Sequence, residues 1–418
     1  VPGGGPPGHQ VRGEGGAARV GPLAALDVDP PEATWALPEA RAAVRHDVPL
    51  ADEGLANDED RRGREPRGVP EDEEVDDRSA APDRPPPAVR RERDAGPGPA
   101  EQRRSYRGVQ RDAVRAVVRS SVFNGIDCYG IYKGYDGLIS DDLVKLNARG
   151  VNNIVNKGGT ILKSARCPDF MTKEGRVKAK KTLDKHEIDS LVIIGGNGSL
   201  TGALLLEEEH GVNVIGIPGT IDNDLIGTRC TLGYDTALNT AVNAIDKIRD
   251  TASSHNRLFF IEVMGKGSGH IALNAGIGAG AEEVLIPEQN MGLDRLLDSL
   301  NKSEKSGKSS SIIVVSEGEK IGDNVFKFSS YIEKNLPHYE IRVSILGHIQ
   351  RGGTPTCFDR VLASRMGVFA VDCLKQKKSK IMVGIIDDKM VAVPLKDAIK
   401  GGQELDKDLV RVCDIISI

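Results

Sequence analysis

Val212-Asn213-Val214-Ile215-Gly216-Ile217-Pro218-Gly219-Thr220-Ile221-Asp222-Asn223-Asp224 is where strand chemistry gives way to site chemistry. Val212 to Ile217 is β-branched and bounded by glycines, the pattern of a strand buried on both faces of a parallel sheet. Pro218 and Gly219 stop that strand. The turn after it presents the Thr220 hydroxyl and two carboxylates, Asp222 and Asp224, at the strand's carboxyl end, where open α/β sheets place their ligands. Two readings compete on these residues alone: a general base beside a metal-linked acid, or a solvated Asx turn.

One strand upstream, Leu191-Val192-Ile193-Ile194 delivers Gly195-Gly196-Asn197-Gly198-Ser199, and a helix follows through Ala203, Leu204 and Leu205. Strand, glycine-rich turn and helix start let backbone amides approach a phosphate closely and set the helix dipole against its charge. Glycines in such turns also serve tight turns that bind nothing. A phosphate loop and a carboxylate pair on successive strands are harder to ascribe to turn geometry than either one alone. Earlier still, Lys157-Gly158-Gly159-Thr160-Ile161-Leu162-Lys163-Ser164-Ala165-Arg166 holds a glycine pair, hydroxyls and a guanidinium, reading either as a phosphate contact or as an ordinary turn.

From Asp112 a helix is expected, with Val114, Val117, Val118 and Val122 on its apolar face and Arg115 and Arg119 on another, a solvated stripe by composition. Cys128 to Tyr132 reads as a strand, Lys133 to Gly137 as its loop, and Thr172 to His186 as a charged helix. Downstream come a long helix over 233–254 and the strand Leu258 to Met264, ending in Gly265-Lys266-Gly267-Ser268-Gly269. Small-residue helix follows over 274–280, then strand at Val284 to Ile286, helix at 293–305, and Ile312 to Val315 delivering Glu317. Ile341 to Leu346 ends in Gly347-His348-Ile349-Gln350-Arg351-Gly352-Gly353. A helix over 359–373, two strands between Ile381 and Val393 and a final helix close the chain. This repeated alternation predicts a doubly wound α/β architecture.

The 418 residues suffice for two or three domains, and a formal net charge of −5 favours neither nucleic acid nor a membrane surface as partner. Six scattered cysteines form no metal-ligand spacing and read as free thiols in a reducing, cytoplasmic setting. Composition breaks between about residues 105 and 125. Sixteen of the 22 prolines precede residue 100, yet no lysine precedes Lys133, no isoleucine Ile126 and no phenylalanine Phe123. The front segment lacks sustained periodicity, so disorder is expected there. Its residue set is that of GC-rich codons, which is what a shifted reading frame would give.

The ordered set of motifs resembles that of the compact, bacterial, ATP-dependent phosphofructokinases over about residues 113–418. It comprises Gly158-Gly159-Thr160 with Ser164-Ala165-Arg166, Gly195 to Ser199, Pro218 to Asp224, Arg249-Asp250-Thr251 with Ser254-His255, Glu262 to Gly265, and Leu346 to Gly353. The resemblance implies two Rossmann-like domains behind a disordered or non-native segment at 1–105. A nucleotide-binding domain would take 106–233 with 350–398, and a sugar-phosphate domain 234–349 with 399–418. It implies transfer of the ATP γ-phosphoryl group to the 1-hydroxyl of fructose 6-phosphate, with Mg²⁺, by a cytoplasmic homotetramer.

By the same resemblance Asp222 takes the hydroxyl proton, and Thr220 and Arg166 stabilise the transferring group. Arg166, Cys167, Gly196, Asn197, Gly198 and Ser199 hold ATP, while Asn197 and Asp224 serve the metal. Thr220, Ile221, Asp222, Met264, Gly265, Lys266, Glu317, His348, Ile349, Gln350 and Arg351 contact the sugar phosphate. Arg257 and Arg342 reach it from a neighbouring subunit. Arg115, Arg119, Arg249, Glu282 and Lys308 match an intersubunit effector site for ADP or phosphoenolpyruvate, the match being weak near Arg149. Gly198 and Gly219 favour ATP over pyrophosphate as donor, and a catalytically silent regulatory subunit is the competing class.

Three departures bear on the nucleotide. Where the family opens with a strand and a Ser-Gly-Gly-Asp-x-Pro-Gly-Met-Asn loop, this chain has Arg104 to Asp112, so the first strand is expected to be lost and its neighbours' edges left unpaired. Asn197 stands where aspartate is usual, deleting a charge near Mg²⁺. Lys266 replaces an arginine, keeping charge without the planar fork. Weak MgATP binding and low turnover are the expected result.

Overall fold

The computed structural model describes residues 21–28, 109–252, 257–289, 293–305, 311–318 and 325–416. Its strands are β1 (Leu23–Val28), β2 (Cys128–Ile131), β3 (Leu143–Leu146), β4 (Ser190–Gly195), β5 (Asn213–Pro218), β6 (Arg257–Val263), β7 (Glu283–Leu285), β8 (Ser311–Ser316), β9 (Glu340–Ile345), β10 (Ile381–Ile386) and β11 (Lys389–Pro394). They make a seven-stranded sheet in the order β11-β10-β5-β4-β1-β2-β3 and a four-stranded sheet in the order β7-β8-β6-β9. Helices alternate with the strands, the doubly wound α/β class expected from the sequence.

In the larger sheet β1, β2, β4, β5 and β10 run parallel, while β3 and β11 close the edges antiparallel. The four β4 residues Leu191 to Ile194 are fully buried, as a parallel strand covered on both faces requires. Alternate side chains divide between two cores. Val192, Ile194, Ile215 and Ile217 meet the helices Gln110–Phe123 and Cys357–Lys375 on one face, and Leu191, Ile193 and Val214 meet Leu200, Ala203 and Leu206 on the other.

The first strand is not lost. Leu23 to Val28, within the Arg, Pro, Gly and Ala segment, lies between β2 and β4, with Leu23 opposite Cys128 and Ser190 and Val28 opposite Gly195. Leu23 N donates to Asp127 O at 2.8 Å, and Asp189 Oδ2 accepts from Gly21 N at 2.9 Å. Leu23, Ala24 and Ala25 are all fully buried, so a six-residue strand with few strand-forming residues is held by burial and ladder bonds. This corrects the expectation of unpaired edges at β2 and β4. Residues 29–108, which hold most of the segment expected to be disordered, lie outside the described residues.

Strand order reverses between β1 and β4, because the chain proceeds from β1 toward β2 and then returns to β4 and β5 on the other side. That switch point opens a crevice at the carboxyl ends of the strands. In the four-stranded sheet all three pairings are parallel, and the ends of β6 and β8 are neighbours, Val263 opposite Ser316. The structure adds a short helix, Tyr135–Ser140, and β3 after the loop read at Lys133, and a helix Val325–Asn335 in a stretch with no sequence assignment.

Candidate active site

The turn after β5 is fixed by its own polar groups. Gly219 N donates to Gly195 O at 2.9 Å, and a Cβ on Gly219 would come within 3.1 Å of Ile194 and 3.2 Å of Gly195 N, so glycine lets the two strand ends close up. Thr220 is buried, and its Oγ1 accepts from Asp222 N at 3.2 Å and lies 3.3 Å from Asp222 Oδ2. Asn223 takes a left-handed backbone, φ +52°, which asparagine tolerates better than most residues. Its side chain bridges the turn: Thr231 N donates to Oδ1 at 2.9 Å, and Nδ2 donates to Arg229 O at 3.3 Å. Thr231 Oγ1 donates to Thr220 O at 2.6 Å and Leu232 N to Pro218 O at 2.8 Å. The two carboxylates on either side of Asn223 are therefore held on a rigid loop.

Facing them is the start of the helix Asn197–His210. Gly196 is its N-cap and offers no side-chain acceptor to the first-turn amides, an arrangement suited to an anion. A Cβ on Gly196 would sit 3.5 Å from that of Thr220, so this helix start and the threonine adjoin. Asn197 Nδ2 donates to Asp224 Oδ2 at 2.9 Å. Asn197 Oδ1, Asp222 Oδ1 and Asp224 Oδ1 are buried and have no hydrogen-bond partner among the described residues. Burial, and next the Asp222 charge, push the Asp224 carboxyl up to about 6, with Lys266 opposing. Three orphaned oxygens around an acid pair fit a hard, oxygen-seeking cation.

The second sheet closes the site from the other side. Met264-Gly265-Lys266-Gly267-Ser268 follows β6, and a Cβ on Gly265 would lie 2.3 Å from Ser268 O, so that turn needs glycine. Lys266 has φ +50° and is exposed. Ser268 Oγ donates to Asp222 O at 3.2 Å, a direct bond from the β6 loop to the carboxylate turn that sequence reasoning missed; a serine among glycines gave no signal. Glu317 follows β8, its N donating to Val263 O at 2.8 Å. Glu262, on β6, has its carboxyl raised by burial and then by the nearby Glu317 charge.

Residues 347–351 form a 3₁₀ turn after β9. Gln350 is buried, accepting from Met264 N at 3.2 Å and donating to Gly347 O at 3.1 Å, so both ends of its amide are used within the chain. Arg351 Nε donates to Met264 Sδ at 3.4 Å. His348 and Ile349 are exposed beside them. Ile221 is buried in the core around β6 and offers the site only its backbone. Arg166 is exposed and Cys167 half-buried, its thiol raised by burial. Their loop begins against residue 353, because a Cβ on Gly158 would lie 2.3 Å from Gly353 O.

Two sets of residues are not brought to this place. Arg257 and Arg342 pair with Glu340; Arg257 opens β6, about 20 Å of strand from its carboxyl end, and Arg342, third in β9, is about 10 Å from the end of that strand, at a rise of about 3.3 Å per residue. Arg115, Arg119 and Lys157 line a cavity of about 460 Å³ with Asn152, Asn153 and Asn156, where Arg119 Nη2 donates to Asn152 Oδ1 at 2.7 Å. Arg249 lies elsewhere, 3.6 Å from Glu282 and bonded to the carbonyls of Ala279 and Gly280. Lys308 lies outside the described residues.

Comparison with known proteins agrees with this fold. The phosphofructokinase family model matches residues 110–374. The chain is 48% identical over 306 residues to ATP-dependent 6-phosphofructokinase 2 of Bacteroides thetaiotaomicron, covering 73% of this chain and 94% of that protein. It is 47% identical over the same shares to ATP-dependent 6-phosphofructokinase 1 of Thermus thermophilus. Among solved structures, phosphofructokinase from Saccharomyces cerevisiae superposes with a TM-score of 0.67 at 32% identity, covering 75% of this chain and 46% of the yeast chain. A pyrophosphate-dependent phosphofructokinase from Marinobacter aquaeolei shares the fold, with a TM-score of 0.63 at 20% identity.

Proposed function

The chain belongs to the phosphofructokinase family, in its bacterial ATP-dependent form, and from that premise we propose how its residues divide the work of moving the ATP γ-phosphoryl group to the 1-hydroxyl of fructose 6-phosphate. The observation that carries the assignment is the rigid turn of Asp222 and Asp224, set between the amide-rich helix start at Gly196 and the loop of Ser268. Asp222 accepts the hydroxyl proton as the sugar oxygen attacks. Thr220, fixed by Thr231 through its carbonyl, orients that carboxylate and donates toward the transferring group. The amides of the helix start take the phosphate charge, with Arg166 reaching over from the loop that rests on Gly353.

Mg²⁺ is the group the family implies, and Asn197, Asp222 and Asp224 supply oxygens that suit it; bound there it would offset the negative charge of the phosphates. Met264, Gly265, Lys266 and Glu317 face the sugar, and His348 and Arg351 its phosphate. Arg257, too far along its strand to serve its own site, and Arg342, paired with it on Glu340, serve that of a neighbour in a homotetramer. The cavity of Arg115, Arg119 and Lys157 is the nearer half of an anion effector site completed across a subunit boundary by Arg249 and Glu282. Arg119→Ala should abolish any response to ADP or phosphoenolpyruvate, and an intact response would remove that assignment. No described helix is long and apolar enough to cross a membrane.

Asp222→Asn tests the central role. Loss of the base is expected to lower kcat by roughly 10²–10⁴-fold while direct binding of fructose 6-phosphate stays within a few-fold. Unchanged kcat would show that another group takes the proton.

A further inference from the structure

The chain passes from the seven-stranded to the four-stranded sheet through the helix Tyr234–Ala252 and returns through residues 352–356 into the helix Cys357–Lys375. The two passages meet at one buried carboxylate. Asp359 is fully buried; its Oδ1 accepts from Gly233 N at 3.0 Å, and its Oδ2 accepts from Thr236 N at 2.8 Å and Thr236 Oγ1 at 2.5 Å. Beside it Thr356 Oγ1 donates to Asp235 Oδ2 at 2.6 Å and Thr356 N donates to Thr236 Oγ1 at 3.2 Å. Thr356 also caps its own helix, accepting from Asp359 N at 3.2 Å.

A helix start is normally capped by its own flanking side chain. Here residue 233 is glycine at φ +96°, so no local side chain does this for the helix Tyr234–Ala252. The acceptor comes instead from the other passage, far away in sequence. What each passage carries gives that arrangement its consequence. Just before Gly233, Thr231 and Leu232 are bonded to Asn223, Thr220 and Pro218 of the carboxylate turn. Just before Thr356, residues 350 and 351 are bonded to Met264, and Gly353 O lies against Gly158.

We propose that Asp359 is a positioning residue for the transfer reaction: it ties the turn bearing the base to the loop bearing His348 and Arg351, and so sets where the sugar hydroxyl lies relative to Asp222. This rests on the functional reading above. A carboxylate with three donors on one side of a sheet-to-sheet passage has little freedom to move, whereas separate caps on the two helices would leave the passages free to slide.

The test uses the full chain and Asp359→Asn, which keeps shape but turns an amide NH₂ toward N–H donors. KM for fructose 6-phosphate is expected to rise about tenfold or kcat to fall about tenfold, with ATP KM within twofold. Direct calorimetric binding of fructose 6-phosphate should weaken in step with KM. Thr356→Val, which removes only the Thr356 side-chain bonds, should shift the same parameters in the same direction by a smaller factor, and serves if Asp359→Asn does not fold. Kinetic constants unchanged in a folded variant would overturn the proposal. So would an apparent kcat that falls only in proportion to lost folded protein, with both substrates' KM values unchanged. If the unaltered chain binds fructose 6-phosphate but does not phosphorylate it, or binds neither substrate, the functional reading fails and the positioning role goes with it.

Discussion

Leu23→Ala is the substitution most informative about the architecture. Leu23 is fully buried, its side chain in the core formed with Val192, Ile194, Val114 and Val117, and its strand is hydrogen-bonded on both edges. Removing three carbons at such a site costs the lost transfer energy plus a cavity, about 2–5 kcal/mol. A domain of this kind has only about 5–15 kcal/mol of stability, so the change should be plain in equilibrium urea unfolding followed by far-ultraviolet circular dichroism. With a slope of about 3 kcal/mol per molar urea, the midpoint should fall by roughly 1 M. Phe123→Ser is the control, because Phe123 is 89% exposed and its loss should move stability by no more than about 0.5 kcal/mol. If Leu23→Ala leaves the midpoint where it was, the front segment does not supply the central strand and the reasoning fails.

Three further outcomes follow from the same geometry. Asp112 is buried, its oxygens have no partner among the described residues, and burial pushes its carboxyl up to about 6 against the pull of Arg360 and Arg115. Since the folded form holds the proton more tightly than the unfolded one, Asp112 costs stability as pH rises from about 4 through 6. Asp112→Asn should therefore gain on the parent across that window, by up to about 3 kcal/mol, and a pH-independent difference in urea midpoints would contradict this. Replacing residues 29–108 with a short glycine-rich turn, while keeping β1, should lower ATP KM about tenfold and leave fructose 6-phosphate KM within threefold; an unchanged ATP KM would show that a glycine turn after β1 does not govern nucleotide binding. Asn197→Asp should tighten Mn²⁺ binding without nucleotide about tenfold by electron paramagnetic resonance, and equal affinity would show that the amide does not govern the charge of the cation site.

Much of this was legible because buried parallel strands announce themselves. β4, β5, β6 and β8 are short apolar runs, β-branched or aromatic, followed closely by glycine, and the sequence pattern places each within a residue or two of its bounds. The carboxylate pair was legible for the same reason, since the strand before it fixes where the turn points. β1 was not, because Leu23-Ala24-Ala25 has weak strand preference and its place is set by tertiary contacts with β2 and β4 rather than by local pattern. The bond from Ser268 to the Asp222 carbonyl and the Asp359 link between passages depend on which distant segments meet, which periodicity does not encode. Gln350 is a different case: its place in a motif suggests substrate contact, and the structure adds the bonds of its amide to Met264 N and Gly347 O, which the motif does not encode.

The most direct test is to supply the purified full chain with ATP, Mg²⁺ and fructose 6-phosphate and follow the products by ³¹P nuclear magnetic resonance, beside Asp222→Asn. If Asp222 is the base and ATP the donor, the unaltered chain gives fructose 1,6-bisphosphate and ADP, none with pyrophosphate in place of ATP, and the variant loses roughly 10²–10⁴-fold. Product formed equally well by Asp222→Asn, or pyrophosphate used in preference to ATP, would contradict it.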